Sequence, residues 1–141
     1  MEAYKEYMGQ PDALGFEEAM EIHEKITAQL NMENEDDREM WADYRQAAGN
    51  YAAIRAKWPL LSMEDKMETD AARTAAHNRS ITALNLLARW YLRTGRDSAW
   101  RTQLGDVSWQ KPGYDVANEI HRKKIGDFNC YVALVLGLGA R

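Results

Sequence analysis

The sequence predicts an all-α fold: a single-domain helical bundle of about five helices, with one long central helix. Three observations carry this reading. Apolar residues recur at steps of three and four along most of the chain, as one face of a helix requires. Strand-like alternation and Asn-Gly or Asp-Gly hairpin signals are absent. The 141 residues are 45% hydrophobic, with five Trp and seven Tyr. That is enough for one ordinary core spanning 1–141, without staples.

The first element is expected over about 15–32, where Phe16, Met20, His23, Ile26 and Leu30 form one apolar stripe. Asn34 is suited to cap the next helix, and Glu35, Asp36 and Asp37 place acidic groups at the positive end of its dipole. Trp41, Tyr44, Ala48, Tyr51, Ile54 and Trp58 form its buried stripe, and Pro59 ends it. Ser62-Met-Glu-Asp65 reads as a capping box with Asp in place of the usual Glu or Gln. It opens a stretch over about 63–94 that Gly95 stops in the manner of a C′ glycine. A helix of about 30 residues spans roughly 45 Å, so one end is expected to project past the core or meet another subunit. Ser98 caps a short helix through Leu104, closed by Gly105, and 106–114 reads as a loop. Asp115 then opens a last helix with His121, Ile125, Phe128, Val132 and Val135 on one side. It is apolar almost all round in its second half, which marks a central position. Gly126 within it signals a close helix–helix approach or a break.

Charge divides the chain. Residues 1–70 hold 17 Asp and Glu against 7 Lys and Arg, whereas 71–141 hold 5 against 11, for a net charge of −4. With the boundary at the start of the long helix, an acidic half (1–61) precedes a basic half (62–141). The plain reading is that the halves neutralise each other within one fold; the alternative is an anionic partner for the basic half. Arg89, Arg93 and Arg96, together with Arg122-Lys123-Lys124, are the clusters that phosphates would attract. An isoelectric point near 5.4 and the lack of a helix-turn-helix signature weigh against nucleic acid. The single Cys130 forbids an intramolecular disulfide, and the charged N-terminus has no apolar signal core. The longest apolar run, Cys130 to Leu138, is too short to span a bilayer. A cytoplasmic protein with no membrane partner is the expectation.

Chemistry-bearing motifs are sparse. His23, His77 and His121 fall on three different expected helices, and none has a His-x-x-x-His or Glu-x-x-His neighbour that would give two ligands on one face. Cys130 lies in an apolar helix, where a thiol is a small inert hydrophobe. No Gly-x-Ser-x-Gly elbow and no phosphate-cradling glycine loop occurs. No metal or cofactor is therefore expected.

What remains is the polar interruption Asp70, Arg73, Thr74, His77 in the long helix, continuous with Ile81, Leu84, Ala88 and Tyr91. Buried, these groups must find partners. One reading is an internal ion-pair network, with Arg73 meeting Asp127. The other is a pocket in which Arg73 or Arg79 forks a phosphate or carboxylate.

Two segments carry a resemblance. Arg73-Thr-Ala-Ala-His-Asn-Arg79 continues to Ser98-Ala-Trp-Arg-Thr-Gln-Leu-Gly105, and Arg122-Lys-Lys-Ile-Gly-Asp-Phe-Asn-Cys-Tyr131 continues to Arg141. Together they resemble an uncharacterised family of small helical proteins from Firmicutes and their phages. The likeness covers roughly the C-terminal half, and the second motif is the more specific. It implies a bacterial or phage-encoded accessory protein and implies no activity. By position its motif residues are His77, Asn78, Trp100, Arg101, Arg122, Lys124, Gly126 and Asp127.

The expected function is thus a non-enzymatic binding protein acting through protein contacts, as a homo-oligomer or with a bacterial partner such as a host defence component. Trp90, Tyr91, Trp100 and Trp109 are its expected interface anchors. Arg73, His77, Asn78, Arg79, Trp100, Arg101, Arg122, Lys124 and Asp127 are the candidate binding residues. Two alternatives stand beside it. One is a binder of an anionic small ligand such as a signalling nucleotide, with Arg73, His77, Arg79 and Arg101 converging on it. The other is a metal-dependent or acid–base enzyme using Asp70, His77 and Asp127.

Overall fold

A computed structural model describes residues 16–104 and Asn118. Four helices and one 3₁₀ turn follow in order: α1 (Phe16–Thr27), α2 (Glu35–Lys57), the 3₁₀ turn Trp58–Leu60, α3 (Met63–Arg93) and α4 (Trp100–Leu104). No strand occurs among the described residues. The expected loop 106–114 and the last helix from Asp115, with His121, Gly126 and Cys130, lie outside the described residues.

The expected helix signals operate as local chemistry demands. Asn34 Oδ1 accepts from the Asp37 backbone N–H at 3.0 Å, satisfying one of the donors a helix start leaves over. Ser62 Oγ does the same for Asp65 at 3.1 Å. At the far end of α3, Gly95 takes φ +75°, a left-handed conformation that favours glycine. Its N–H donates to Leu92 O at 3.2 Å while Arg96 N–H donates to Tyr91 O at 2.9 Å. That pair of bonds is the Schellman closure. It turns the chain so that Arg96 points back toward the start of α2.

Helices α2 and α3 form an antiparallel hairpin whose contact face is rich in alanine. Ala47, Ala48 and Ala52 on α2 and Ala83 and Ala88 on α3 are all buried. Small side chains let two helices approach closely, and the fully buried Tyr44, Tyr51, Leu84 and Leu87 fill the remaining volume. The buried Ser80 hydroxyl lies 3.0 Å from the Ala47 carbonyl across the interface. Helix α1 joins this core through Ile22 and Ile26, and α4 joins it through Trp100 and Leu104. The Tyr91 hydroxyl donates to Ile26 O at 2.6 Å, tying α1 to the end of α3.

Several expectations are corrected. The first helix ends at Thr27 and not near residue 32, because the next residues are drawn into tertiary bonds. The Gln29 side chain both donates to Asp97 O and accepts from Asp97 N–H, and Asn31 N–H donates to Asp37. Its buried line runs through Ala19, Ile22 and Ile26, while Met20 and His23 are only half-buried. The side chain of Phe16 lies outside the described residues. On α2 the middle of the expected stripe is buried, but Ile54 and Trp58 are not. From residue 53 to residue 76 no residue is buried. The hairpin end of α2 and the first three turns of α3 therefore stand clear of the core.

Candidate functional site

The polar interruption on α3 resolves into separate local arrangements. Arg73 donates from Nε and Nη2 to Asp70 Oδ1, one helical turn back, at 3.1 and 2.9 Å. Its guanidinium carbon also sits 5.1 Å from the Trp58 ring centroid, within cation–π range. The carboxylate seen against Arg73 is thus Asp70 on its own helix; Asp127, the partner expected from the sequence, lies outside the described residues.

His77 is 1% exposed and meets the Tyr51 ring edge-on, 5.1 Å between centroids and 74° between planes. Burial pushes its pKa down to about 4; the Asn78 side chain opposes this, and the nearby positive charges of Arg73 and Arg55 reinforce it. The imidazole is therefore neutral at pH 7. Asn78 is half-buried. Arg79 pairs with Asp43 on α2, with its side chain half exposed. Six residues separate Arg73 from Arg79, which turns them about 120° apart around a helix.

Arg101 meets α3 farther along the helix. It is 9% exposed, and its Nε donates to Asn85 Oδ1 at 2.5 Å, two helical turns beyond His77. Trp100, 1% exposed, donates from Nε1 to Asp97 O at 2.9 Å and stands edge-on to Tyr91 at 5.6 Å. Both rings belong to the core, so neither Trp100 nor Tyr91 presents the open aromatic face expected of an interface anchor. Arg73, His77, Arg79 and Arg101 accordingly do not converge on one pocket. Arg122, Lys124 and Asp127, with Trp109, lie outside the described residues.

The strongest polar constellation among the described residues was not foreseen as one. Asp37 is 2% exposed and accepts four hydrogen bonds: from Asn31 N–H at 2.8 Å, Trp90 Nε1 at 2.7 Å, and Arg96 Nη1 and Nη2 at 2.7 and 2.9 Å. The two from Arg96 form a bidentate fork, the strong geometry for a buried ion pair. Arg96 Nη1 also donates to Gln29 O at 3.0 Å, and its guanidinium covers the Tyr91 ring at 4.4 Å. The Arg96 hydrogen bonds hold the Asp37 carboxyl well below the usual carboxylate range; burial works the other way, and the Trp90 and Asn31 bonds add to the lowering. The same pairing raises Arg96.

In sequence, Asp37 looked like a dipole-complementing acid and Arg96 like one of three surface arginines. The available signal was the juxtaposition of Gly95 and Arg96, since a left-handed turn aims the next side chain back along its own helix.

Among the described residues there is no group of three or more His, Cys, Asp or Glu placed to hold a metal, and no helix is long and apolar enough to cross a membrane. Among the described residues, three of the six exposed large apolar side chains lie at the hairpin end: Leu60, Met63 and Met67, at 86, 71 and 75% exposure. With Trp58, Lys66 and Asp70, the two methionines line a shallow groove there. No protein-family model matches the chain, and no curated protein or solved structure shows significant similarity to it.

Proposed function

We propose that this chain is a non-enzymatic helical binding protein that works through protein contacts, and that its partner docks on the hairpin end of α2 and α3. The observation that carries the reading is the apolar cluster of Leu60, Met63 and Met67 beside Trp58, exposed where no residue from 53 to 76 is buried. Contiguous apolar surface of this kind marks interaction sites in soluble proteins. Met63 and Met67 are one helical turn apart, and unbranched thioether side chains adapt to a partner's relief. The occupant is an amphipathic helix of a protein partner, whose apolar face would lie between Trp58 and the two methionines.

Two facts support a non-enzymatic role over acid–base chemistry. Asp70 is engaged by Arg73, and His77 is sealed at 1% exposure. The resemblance of the C-terminal half to small helical proteins of Firmicutes and their phages supports a bacterial or phage-encoded accessory role; in such a setting the proposed partner is a host defence component. In this reading the chain is a single-domain bundle of about five helices, and the lone cysteine suits the cytoplasm.

Site-specific photo-crosslinking tests the proposal. A photoreactive residue in place of Met63 is expected to capture one defined partner in the bacterial host, and Met67→Glu in the same chain is expected to abolish capture without changing the melting temperature. A yield at position 63 no greater than at the exposed control position 36 would remove the reading. A covalent dimer of the chain itself would reassign the surface to self-association.

A further inference from the structure

Two methionines at the hairpin end stand apart from the others. Among the described residues, Met63 and Met67 are 71 and 75% exposed, against 52% for Met32. Met20 and Met40 are half-buried, and Met40 packs against the core. We propose that Met63 and Met67 form a paired oxidation site, at which a hydroperoxide converts both thioethers to sulfoxides and thereby closes the hairpin-end surface to its partner. The closure rests on the docking reading above; the oxidation itself does not.

The two side chains are placed to act together. Positions 63 and 67 are i and i+4, so they share one face of α3, about 6 Å apart along its axis. Both line the groove that Trp58 also lines. The aromatic part of that lining is held in place. The Arg73 guanidinium carbon sits 5.1 Å from the Trp58 ring centroid, and Arg73 is itself bonded twice to Asp70. The thioethers are the adaptable part, since an unbranched, polarizable side chain fits an apolar neighbour of almost any shape.

The chemistry needs only a hydroperoxide that can reach sulfur. A sulfur lone pair attacks the terminal peroxide oxygen and an S–O bond forms as the O–O bond breaks. The proton on the attacked oxygen passes to the departing alkoxide or hydroxide, which leaves as an alcohol or water. Sulfur is oxidised by two electrons and the peroxide is reduced by the same two. Each apolar thioether becomes a polar, chiral sulfoxide, which methionine sulfoxide reductases can return to the thioether. An apolar helix face laid on the groove would then bury sulfoxide oxygens stripped of water, which opposes docking. The fold has no stake in either sulfur, because no residue from 53 to 76 is buried.

Peroxide treatment of the full chain, followed by removal of the oxidant, tests the assignment with two readouts. Peptide mass mapping is expected to find Met63 and Met67 oxidised ahead of Met20 and Met40, with the melting temperature unchanged at that dose. Photo-crosslinking in a bacterial lysate reads the surface, with a photoreactive residue in place of the exposed Glu64. The oxidised chain is expected to yield about tenfold less crosslinked product than the untreated one, and a methionine sulfoxide reductase is expected to restore the yield. Met63→Leu combined with Met67→Leu removes both sulfurs, so peroxide should leave the yield of that chain at its starting level, whatever that level is. The proposal is overturned if Met63 and Met67 oxidise no faster than Met20 and Met40, if the oxidised chain captures as much as the untreated one, if capture stays low once both methionines are regenerated, or if peroxide lowers capture by the double variant as much as by wild type. Equal capture before and after oxidation removes this inference alone, whereas no capture by the untreated chain removes the docking reading and the closure with it.

Discussion

Asp37 shows how one side chain can hold three parts of a chain together. Its carboxylate receives donors from the turn after α1, from the C-terminal end of α3 and from the residue after Gly95. Removing one member of a buried ion pair leaves the other charge uncompensated, which typically costs about 3–5 kcal/mol. Asp37→Ala is therefore expected to lower stability by that amount in urea unfolding. Because folding depresses the pKa of Asp37, its contribution is fully present above the unfolded carboxylate pKa of about 3.9 and is lost as pH falls below it. The stability gap between wild type and Asp37→Ala should stay constant near neutrality and narrow below about pH 4. His77 acts in a different window and with the opposite chemistry. The unfolded imidazole takes a proton below about pH 6.5, while the folded one stays neutral down to about 4. Wild-type stability should therefore fall as pH drops from 6.5 to 4, by up to about 3 kcal/mol. His77→Phe keeps an aromatic ring against Tyr51 and removes the titration, so unfolding at pH 7 and at pH 4.5 should show a smaller loss for the variant. An equal loss in both proteins would show that His77 is not the group responsible.

At the scale of the element, the ends of the helices were the most legible feature of the sequence. Asn34 and Ser62 cap as their side chains predict, and Gly95 stops α3 with a positive φ. These are local interactions, written within four residues, so no tertiary information is needed to read them. Gly95→Ala probes the last of them cleanly. A methyl group there would meet nothing within 4 Å, so the cost is that of the left-handed backbone alone, about 1–2 kcal/mol. Urea midpoints would measure it, and a change below a few tenths of a kcal/mol would mean that the turn relaxes. The end of α1 was not legible, because what stops it after Thr27 is long-range. Gln29 bonds to Asp97, 68 positions along the chain. The face of α1 was misjudged for a related reason. Ala19, too small to stand out in an apolar stripe, is buried, whereas the larger Met20 and His23 near it are only half-buried.

Across the molecule, burial is lopsided. Every buried residue of the α2–α3 pair lies between 37 and 52 on α2 or between 77 and 91 on α3, and the hairpin end is left open. Two substitutions of equal chemical size should therefore behave very differently. Leu87→Ala, at a fully buried position, is expected to cost about 2–5 kcal/mol through lost burial and a cavity. Leu60→Ala, at 86% exposure, is expected to change stability by no more than about 0.5 kcal/mol while weakening partner capture at the hairpin end. Thermal melts of the two variants side by side would reveal any hidden cover over Leu60, since a drop comparable to that of Leu87→Ala requires one. The charge asymmetry between the halves also acquires partners at this scale. Asp37 and Asp43 of the acidic half pair with Arg96 and Arg79 of the basic half, as expected if the halves neutralise each other within one fold.

The sequence by itself determined that the described chain is helical, where its long helices start, where the longest one stops and that Tyr44, Tyr51, Ile81 and Leu84 belong inside. Periodicity and capping are local properties, and local properties survive without knowledge of neighbours. Only the tertiary structure decided which polar residues work together. A charge 59 positions away along the chain leaves no periodic trace, so Asp37 and Arg96 could be recognised as a pair only once α2 and α3 were laid side by side. The same holds for the candidate sites. Arg73, His77, Arg79 and Arg101 look like one cluster when written in a line, and helical rotation and the length of α3 distribute them over separate environments.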